Sequence, residues 1–331
     1  MAVLTERAEQ AVDDLTPQAV SKGSTNVSLA IHGAILAGGY PTRKIADFLH
    51  GTWLGHPLHP VLTDFTIGSW AMASAFDWAG HLIDSDELRK TGDHLALAGT
   101  ISAVPTAISG IVDYSTFPEP SAAPVTWHAI LNIVNFGLYL ASVRERRRGN
   151  HTRGAVLGGI GLALTCVSAW LGGALVYRYK VGVNHADEFE GPNRWTPVMD
   201  LKDLPPREAK KIDFDGKPVL IYRRYDEVYA IGDTCSHAGG PLHEGKFSGS
   251  CVTCPWHDSV FDMNGGHIVH GPATQKQPSF NARVRDGKVE CLRRQLGWFV
   301  GVPAIVAHLQ NEIARLTASQ RPVDGAIVLV H

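Results

Sequence analysis

Charged residues are scarce in this 331-residue sequence, where Asp, Glu, Lys and Arg together make up 19%. Soluble proteins usually carry ~25%, so the shortfall indicates that part of the chain avoids water. Neither sign of charge dominates, since 30 Lys and Arg stand against 32 Asp and Glu. That balance excludes the strongly basic surface that is typical of nucleic-acid binding, and no nucleic-acid partner is expected. Five cysteines are too few and too unevenly spaced for a secreted disulfide scaffold.

Long apolar blocks are present only in the first half of the sequence. Four of them run over residues 60–82, 94–112, 125–143 and 154–177. Each has about the 17–25 residues needed to cross a bilayer. The pattern predicts a bundle of four transmembrane helices over residues 50–180, embedded in the lipid of the cell membrane. Four buried helices of a soluble bundle are the alternative, which the short loops and the near absence of charge disfavour.

The segments at the two ends of the sequence are less regular. Residues 1–49 are predicted to be an N-terminal extension whose apolar stretch, 27–40, is too short to span a bilayer and ends at a proline. Acidic residues stand where a signal peptide needs basic ones, so no cleavable signal is expected. Residues 295–331 are predicted to be a C-terminal tail with one helix at 303–317.

After the last apolar block, charges become frequent and short runs of β-branched and aromatic residues appear. Residues 218–224 and 228–232 are predicted strands, and the Asn-Gly and Asp-Gly pairs at 264–265 and 286–287 are predicted tight turns. The sequence therefore predicts a linker and a small all-β domain over residues 181–294. The expected fold class is α + β, with a helical domain followed by a β-domain.

Two short segments of the β-domain share a metal-binding pattern, CSH at 235–237 and CPWH at 254–257. Each supplies one thiolate and one imidazole, so two facing loops would offer two of each. This set suits a 2Fe-2S cluster with two cysteines on one iron and two histidines on the other, at a potential of about −150 to +300 mV. A structural zinc site is the alternative, but zinc fingers generally place two cysteines on one segment and two histidines on the other.

The sequence around these segments resembles the Rieske iron–sulfur family over about residues 193–294. The resemblance is carried by CSHAGGPLHEG at 235–245 and CPWHDSVFDMNGGHIVHGPA at 254–273. It implies one 2Fe-2S cluster per chain, with the cysteines on one iron and the histidines on the other. The implied cluster ligands are Cys235, His237, Cys254 and His257.

Several positions differ from the respiratory members of that family. Gly240 and Trp256 occupy the positions of a disulfide that joins the two cluster loops. Phe261 replaces a tyrosine that donates a hydrogen bond to cluster sulfur, although Ser259 keeps the serine of the pattern. Asp258 stands where the family usually has glycine. These differences resemble the ferredoxin branch and imply a potential in the lower part of the Rieske range.

A layer of polar residues is expected at one membrane face, where the first and third helices begin and the second and fourth end. Its members are His56, His59, Asp64, Asp113 and His128. Ionisable residues at membrane depth tend to face the bundle interior and to mark functional sites. Three interpretations stay open: headgroup-level residues that pair with one another, a haem b or other metal held by His59 and His128, or a quinone pocket.

The first half of the sequence also resembles an uncharacterised four-helix bacterial membrane family that opens on HPLHP. The resemblance covers about residues 50–178 and is carried by GTWLGHPLHPVLTDF at 51–65. It supplies no functional residues.

The expected function is electron transfer at the membrane. The cluster would relay single electrons between the membrane, through quinone or haem, and an unidentified partner oxidoreductase. Rieske oxygenases add a large domain with a mononuclear iron, for which the 37 residues after position 294 are too few, so an electron-transfer component is expected rather than a self-sufficient enzyme. A membrane redox sensor or assembly factor is the alternative.

The distribution of basic residues predicts the orientation in the membrane. The loops on the face opposite the β-domain carry seven, namely Arg89, Lys90, Arg144, Arg146, Arg147, Arg148 and Arg153. The face of the β-domain carries five near the helix ends, namely Arg43, Lys44, Arg178, Lys180 and Arg194. The positive-inside rule then predicts a multi-pass protein with an extracytoplasmic β-domain. The margin is narrow, and a cytoplasmic β-domain is the alternative.

Overall fold

A computed structural model describes an α-helical part and a β-domain that follows it. The described residues are 14, 16–117, 123–186 and 191–294. The predictions for the first residues of the N-terminal extension and for the tail at 295–331, including its helix at 303–317, lie outside the described residues.

Six helices with described bounds precede the β-domain. They are α1 (Gln18–Ala37), α2 (Gly39–His50), α3 (Leu58–Leu82), α4 (Asp86–Tyr114), α5 (Ala123–Arg147) and α6 (His151–Tyr177). The last four correspond to the four predicted apolar blocks. By length and composition, α4 and α6 are the two described helices that could cross a membrane. Polar side chains within α3 and α5 lower their hydropathy, so four helices are present but membrane crossing by all four stays a prediction.

The first two helices occupy the segment predicted to be an extension. The apolar stretch was expected to stop at Pro41, but α2 continues through this residue because proline is tolerated in the first turn of a helix. At the other end, Gly51 closes α2 with φ +83° and donates its N–H to the carbonyls of Asp47 and Phe48. A Cβ at Gly51 would lie 2.3 Å from the carbonyl oxygen of His56, so this turn into α3 requires glycine.

The four long helices pack as two hairpins, α3 with α4 and α5 with α6. Side chains of α3 and α5 meet across the bundle. The rings of Trp70 and Tyr139 stack with centres 3.9 Å apart. Arg146 binds the Asp77 carboxylate in a bidentate fashion at 2.8 and 2.5 Å, and also Asp93 at 2.8 Å. Arg146 was expected in a loop, but it is 5% exposed because α5 continues through the arginine run and turns this side chain inward.

The β-domain consists of two antiparallel sheets. The strands are β1 (Thr196–Asp200), β2 (Ala209–Phe214), β3 (Lys217–Arg224), β4 (Glu227–Gly232), β5 (Lys246–Ser248), β6 (Cys251–Thr253), β7 (Val260–Asp262), β8 (His267–His270), β9 (Ser279–Arg285) and β10 (Lys288–Arg293). The larger sheet has the order β1-β10-β9-β4-β3-β2, and the smaller one β5-β6-β7-β8. The two predicted strands are confirmed as β3 and β4, and the two predicted turns join β7 to β8 and β9 to β10.

Candidate metal centre

Two loops at the small sheet bring the four predicted ligands together. Cys235 and His237 follow β4, whereas Cys254 and His257 lie between β6 and β7. The thiols are 1% and 2% exposed and share a hydrogen bond. The centres of the two imidazole rings are 4.9 Å apart, and the rings are nearly perpendicular. The site therefore consists of a thiol pair beside an imidazole pair.

The surroundings of the thiols favour metal binding. The hydrogen bond between them lowers the pKa of Cys254 to about 7 and raises the pKa of Cys235. Backbone N–H groups of His237 and Ala238 stabilise the Cys235 thiolate, and those of Trp256 and His257 stabilise the Cys254 thiolate. Because the thiolate is the form that binds metal, the loop backbone prepares both sulfurs for ligation.

The imidazoles are held in the neutral form that ligates metals. Burial, together with the nearby rings of His257 and His50, keeps the pKa of His237 well below its ordinary value. Burial likewise lowers the pKa of His257 to about 4. The Nδ1 atoms of His237 and His257 are buried and have no hydrogen-bond partner among the described residues. Since buried polar atoms are normally paired, a metal at these two atoms fits the site.

The four candidate ligands form two pairs. The two thiols share a hydrogen bond, and the centres of the two imidazole rings are 4.9 Å apart. One thiol pair and one imidazole pair suit a binuclear iron–sulfur cluster, in which each pair holds its own iron.

Gly240 provides space beside the sulfur of Cys254. A Cβ at this glycine would lie 2.8 Å from the Cys254 sulfur and 3.1 Å from the ring of Trp256. Gly240 and Trp256, which occupy the positions of the family's loop disulfide, therefore lie against each other beside the Cys254 sulfur. All five cysteines are unbridged.

Asp258 connects the second ligand loop to the helices. Its backbone has φ +59°, a left-handed conformation that explains why the family usually has glycine here. The Asp258 carboxylate accepts a hydrogen bond from Nε2 of His32 at 3.0 Å, and its carbonyl accepts one from Arg43 at 3.1 Å. The residue next to the candidate ligand His257 is thus bound to α1 and α2.

A second contact between the helices and the β-domain is centred on Asp47 of α2, which is 8% exposed. Its carboxylate accepts hydrogen bonds from the Gly271 N–H and from Nδ1 of His270, both at 2.8 Å. A small cavity of about 20 Å³ adjoins this contact and is lined by His257, His32 and His50, among others. A cavity of that size holds about one water molecule. The imidazole edge of the site therefore faces α1 and α2.

Sequence reasoning missed this set of helix residues. The contacts of Asp47 with His270 and of His32 with Asp258 join residues more than 200 positions apart. No local motif marks them, although Asp47 and His50 share one face of an amphipathic helix. On another side of the ligand loops, Trp256 is 53% exposed.

The polar layer predicted in the helical domain is only partly assembled. The rings of His59 and His128 lie with centres 6.5 Å apart. Asp113 instead accepts a hydrogen bond from Nδ1 of His50 at 2.8 Å. His56, in the turn before α3, and Asp64, on α3, are both exposed. The expected five-residue layer is therefore reduced to one histidine pair.

An all-β domain with a Cys-x-His loop and a Cys-x2-His loop around one buried site is of the binuclear iron–sulfur class. The family model described as a Rieske [2Fe-2S] domain matches residues 194–281. The model described as a predicted membrane protein, DUF2231, matches residues 55–185. The first match covers the β-domain from β1 to the start of β9, and the second covers the four long helices.

Curated relatives match the β-domain. "Ferredoxin CarAc" from Metapseudomonas resinovorans is 31% identical over 96 residues, which is 29% of this chain and 90% of the relative. The "Anthranilate 1,2-dioxygenase ferredoxin subunit" from Burkholderia cepacia is 31% identical over 96 residues, 29% of this chain and 89% of the relative. The solved ferredoxin of carbazole 1,9a-dioxygenase from Nocardioides aromaticivorans is 28% identical in sequence. The match covers 30% of this chain and 98% of the ferredoxin, with a TM-score of 0.29.

The chain belongs to the Rieske [2Fe-2S] family, with a DUF2231 region before the Rieske domain. Family membership implies a 2Fe-2S cluster and a role in electron transfer.

Proposed function

We propose that this protein is a membrane-bound electron carrier whose cluster exchanges single electrons between the membrane and a partner oxidoreductase. The proposal assigns Cys235 and Cys254 to one iron and His237 and His257 to the other. A cluster with this ligand set accepts and releases one electron. The observation that carries the proposal is the contact of the imidazole edge with α1 and α2, because it directs that edge toward the helical domain.

Polar side chains of the four long helices are paired with one another, which supports membrane crossing by all four helices, α3 to α6. Polar groups at membrane depth are tolerated when they are satisfied within the protein. Asp77 of α3 is paired with Arg146 of α5, and Asn135 of α5 donates to Thr165 of α6 at 2.7 Å. These pairs remove the main obstacle to inserting the two less apolar helices.

The nature of the relatives supports a protein partner. Both curated relatives are ferredoxins, and one is named as a subunit of a dioxygenase. The exposed indole of Trp256, beside the ligand loops, offers a docking position that the helices leave open. On the membrane side, the expected partner is a quinone or a haem.

We also propose an extracytoplasmic position for the β-domain, although the two membrane faces now differ less in their number of basic residues. Arg146 is buried and paired within the bundle, so it no longer counts as a loop cation. The remaining comparison is six basic residues against five, which still favours a cytoplasmic arginine loop. Labelling of Cys251, which is partly exposed on β6, in intact cells would test this orientation. Protection in intact cells together with labelling after lysis would place the β-domain in the cytoplasm.

Electron paramagnetic resonance (EPR) of the detergent-purified protein tests the ligand assignment. The reduced protein should give a rhombic signal with an averaged g below the free-electron value. Cys235→Ser and His257→Ala should abolish it, and Cys251→Ser is the matched control that should keep it. Loss of the signal in the control, or its survival in a ligand variant, would overturn the assignment.

Reduction kinetics in membrane vesicles test the carrier role. A quinol or a reduced haem protein in the membrane should reduce the cluster, and an added ferredoxin-dependent oxygenase should reoxidise it. A fully assembled cluster that neither component can reduce or oxidise would argue against the carrier function.

A further inference from the structure

The two helical hairpins repeat one another around the centre of the bundle. Asp77 and Arg146 are 69 residues apart and contact each other across the bundle. Trp70 and Tyr139 are separated by the same interval and stack on each other. His59 and His128 also have this separation and form a third facing pair. The histidines therefore occupy equivalent positions in α3 and α5 and lie at the same depth.

The surroundings of the two histidines match as well. Nδ1 of His59 lies 2.9 Å from the carbonyl of Thr106 on α4, and Nδ1 of His128 lies 2.9 Å from the carbonyl of Ser168 on α6. One turn after each carbonyl comes a glycine that contacts the histidine ring. A Cβ at Gly110 would lie 2.8 Å from the His59 ring, and one at Gly172 would lie 3.2 Å from the His128 ring.

These contacts fix the chemical form of both rings. A carbonyl oxygen can only accept, so each Nδ1 carries the proton and donates it. The Ser168 hydroxyl oxygen also lies 3.1 Å from Nδ1 of His128 and can accept from the same N–H. The lone pair of each neutral ring is then on Nε2, which takes no hydrogen bond from the described residues. An imidazole whose Nδ1 donates to a backbone carbonyl is the usual form of a metal-ligating histidine.

The distance between the rings fits two ligands on opposite sides of one metal ion. With metal–nitrogen bonds of about 2.0–2.1 Å, two such imidazoles have ring centres about 6.4 Å apart. The observed separation of His59 and His128 is 6.5 Å. The separation of His237 and His257 is 4.9 Å, as expected for ligands on the same side of one iron. The two pairs thus have different ligation geometries.

The composition of the site identifies the ligand class. No third His, Cys, Asp or Glu of the described chain joins this pair, so a bare ion would have only these two protein ligands. A tetrapyrrole supplies the four equatorial nitrogens itself and needs only axial ligands. A quinone would need hydrogen-bond donors for its carbonyl oxygens, but the ring N–H groups of His59 and His128 are already donated to the backbone.

We propose that His59 and His128 are the axial ligands of a b-type haem in the helical domain. The pair lies at the bundle end that adjoins the β-domain, where Gln275 donates to the carbonyl of Gly55 and Gly182 approaches Pro57. One electron could pass between the reduced cluster and the ferric haem iron, which becomes ferrous as the cluster returns to its oxidised form. That role rests on the proposed function, whereas binding of the haem does not.

Optical and EPR spectra of one detergent preparation from haem-sufficient cells test the proposal. The wild type should show a Soret band, a sharp α-band on reduction and a low-spin haem signal. His59→Ala and His128→Ala should lower haem content at least about tenfold, while the Rieske signal of the same sample shows that the β-domain is folded. His94→Ala, which removes an exposed histidine of α4, should change neither spectrum.

A milder variant separates ligation from folding. Gly110→Ala places a methyl group 2.8 Å from the His59 ring and should shift the low-spin signal or weaken haem retention. Gly68→Ala, with open space around the new methyl group, is the matched control and should leave the spectrum unchanged.

Three results would contradict the proposed haem site. The first is a wild type that carries the Rieske signal but neither retains haem nor takes up added haemin. The second is a stoichiometric non-haem metal that is lost in both histidine variants. The third is a copurified quinone that is lost in the same variants. Absence of the Rieske signal from a haem-containing protein would instead contradict the cluster assignment and leave the haem site standing.

Discussion

The carboxylate of Asp47 is a buried contact between the helices and the β-domain, and its removal should open the interface. In Asp47→Ala, the Gly271 N–H and Nδ1 of His270 lose the acceptor that each now contacts at 2.8 Å. A buried donor left without a partner costs about 1–3 kcal/mol, so two donors cost about 2–6 kcal/mol. Both donors regain hydrogen bonds to water if the domains separate, so the cost appears as weaker docking of the β-domain.

Two further variants calibrate this effect. In Asp47→Asn, one oxygen can still accept from Gly271, and the amide can donate to Nδ1 of His270 if that ring changes tautomer, so we expect an intermediate loss. Lys44 lies 3.8 Å from the same carboxylate but is about half exposed. Exposed ion pairs contribute about 0–1 kcal/mol, which makes Lys44→Ala the matched control.

Hydrogen exchange followed by mass spectrometry measures the docking directly. The lower end of the estimate, about 2 kcal/mol, corresponds to a roughly 30-fold loss of protection. We expect that loss at the Gly271 amide and in the peptide that contains His257, while β3 and β4 keep their protection. Full protection at Gly271 in Asp47→Ala, or an equal loss in Lys44→Ala, would refute the reasoning.

Three other variants test the site and the fold. Gly240→Ala puts a Cβ 2.8 Å from the Cys254 sulfur, so iron content per chain should fall. Asp77→Ala leaves Arg146 buried without its bidentate partner, which should destabilise the helical domain by about 3–5 kcal/mol in thermal unfolding. Burial raises the pKa of Cys291 from 9.0 to about 12. The stability from this neutral thiol is therefore complete below about pH 9 and is lost as the pH rises toward 12, so Cys291→Ala should flatten alkaline unfolding between these values.

The β-domain could be predicted because its signals are local. An Asn-Gly or Asp-Gly pair fixes a tight turn within a few residues, and alternating side chains fix the strands that flank it. The four candidate ligands follow from the same kind of information, since each loop carries its cysteine and histidine within four positions. The contacts of Asp47 and His32 depend on tertiary structure, and no local pattern encodes them.

The repeat in the helical domain shows a second limit of sequence reasoning. The sequence shows no internal repeat, because equivalent positions keep a role rather than an identity. Trp70 corresponds to Tyr139, and Asp77 corresponds to Arg146, so the second pair even reverses its charge. Identity survives at the facing histidines and at the glycines that contact their rings. Stacking and ion pairing accept many residue combinations, whereas a fixed imidazole against a backbone accepts few.

Asp258, which stands where the Rieske family usually has glycine, also links the β-domain to α1 and α2. A residue with a side chain at φ +59° costs about 1–2 kcal/mol that glycine would avoid. The hydrogen bond from His32 to its carboxylate offsets part of that cost and holds the loop of His257 against α1. The same bond places a cationic or donor group beside the aspartate, so its charge acts less on the metal site than an unpaired carboxylate would. A residue that looks like a modifier of the potential in the sequence is, in the structure, a contact that orients the ligand loop toward the helical domain.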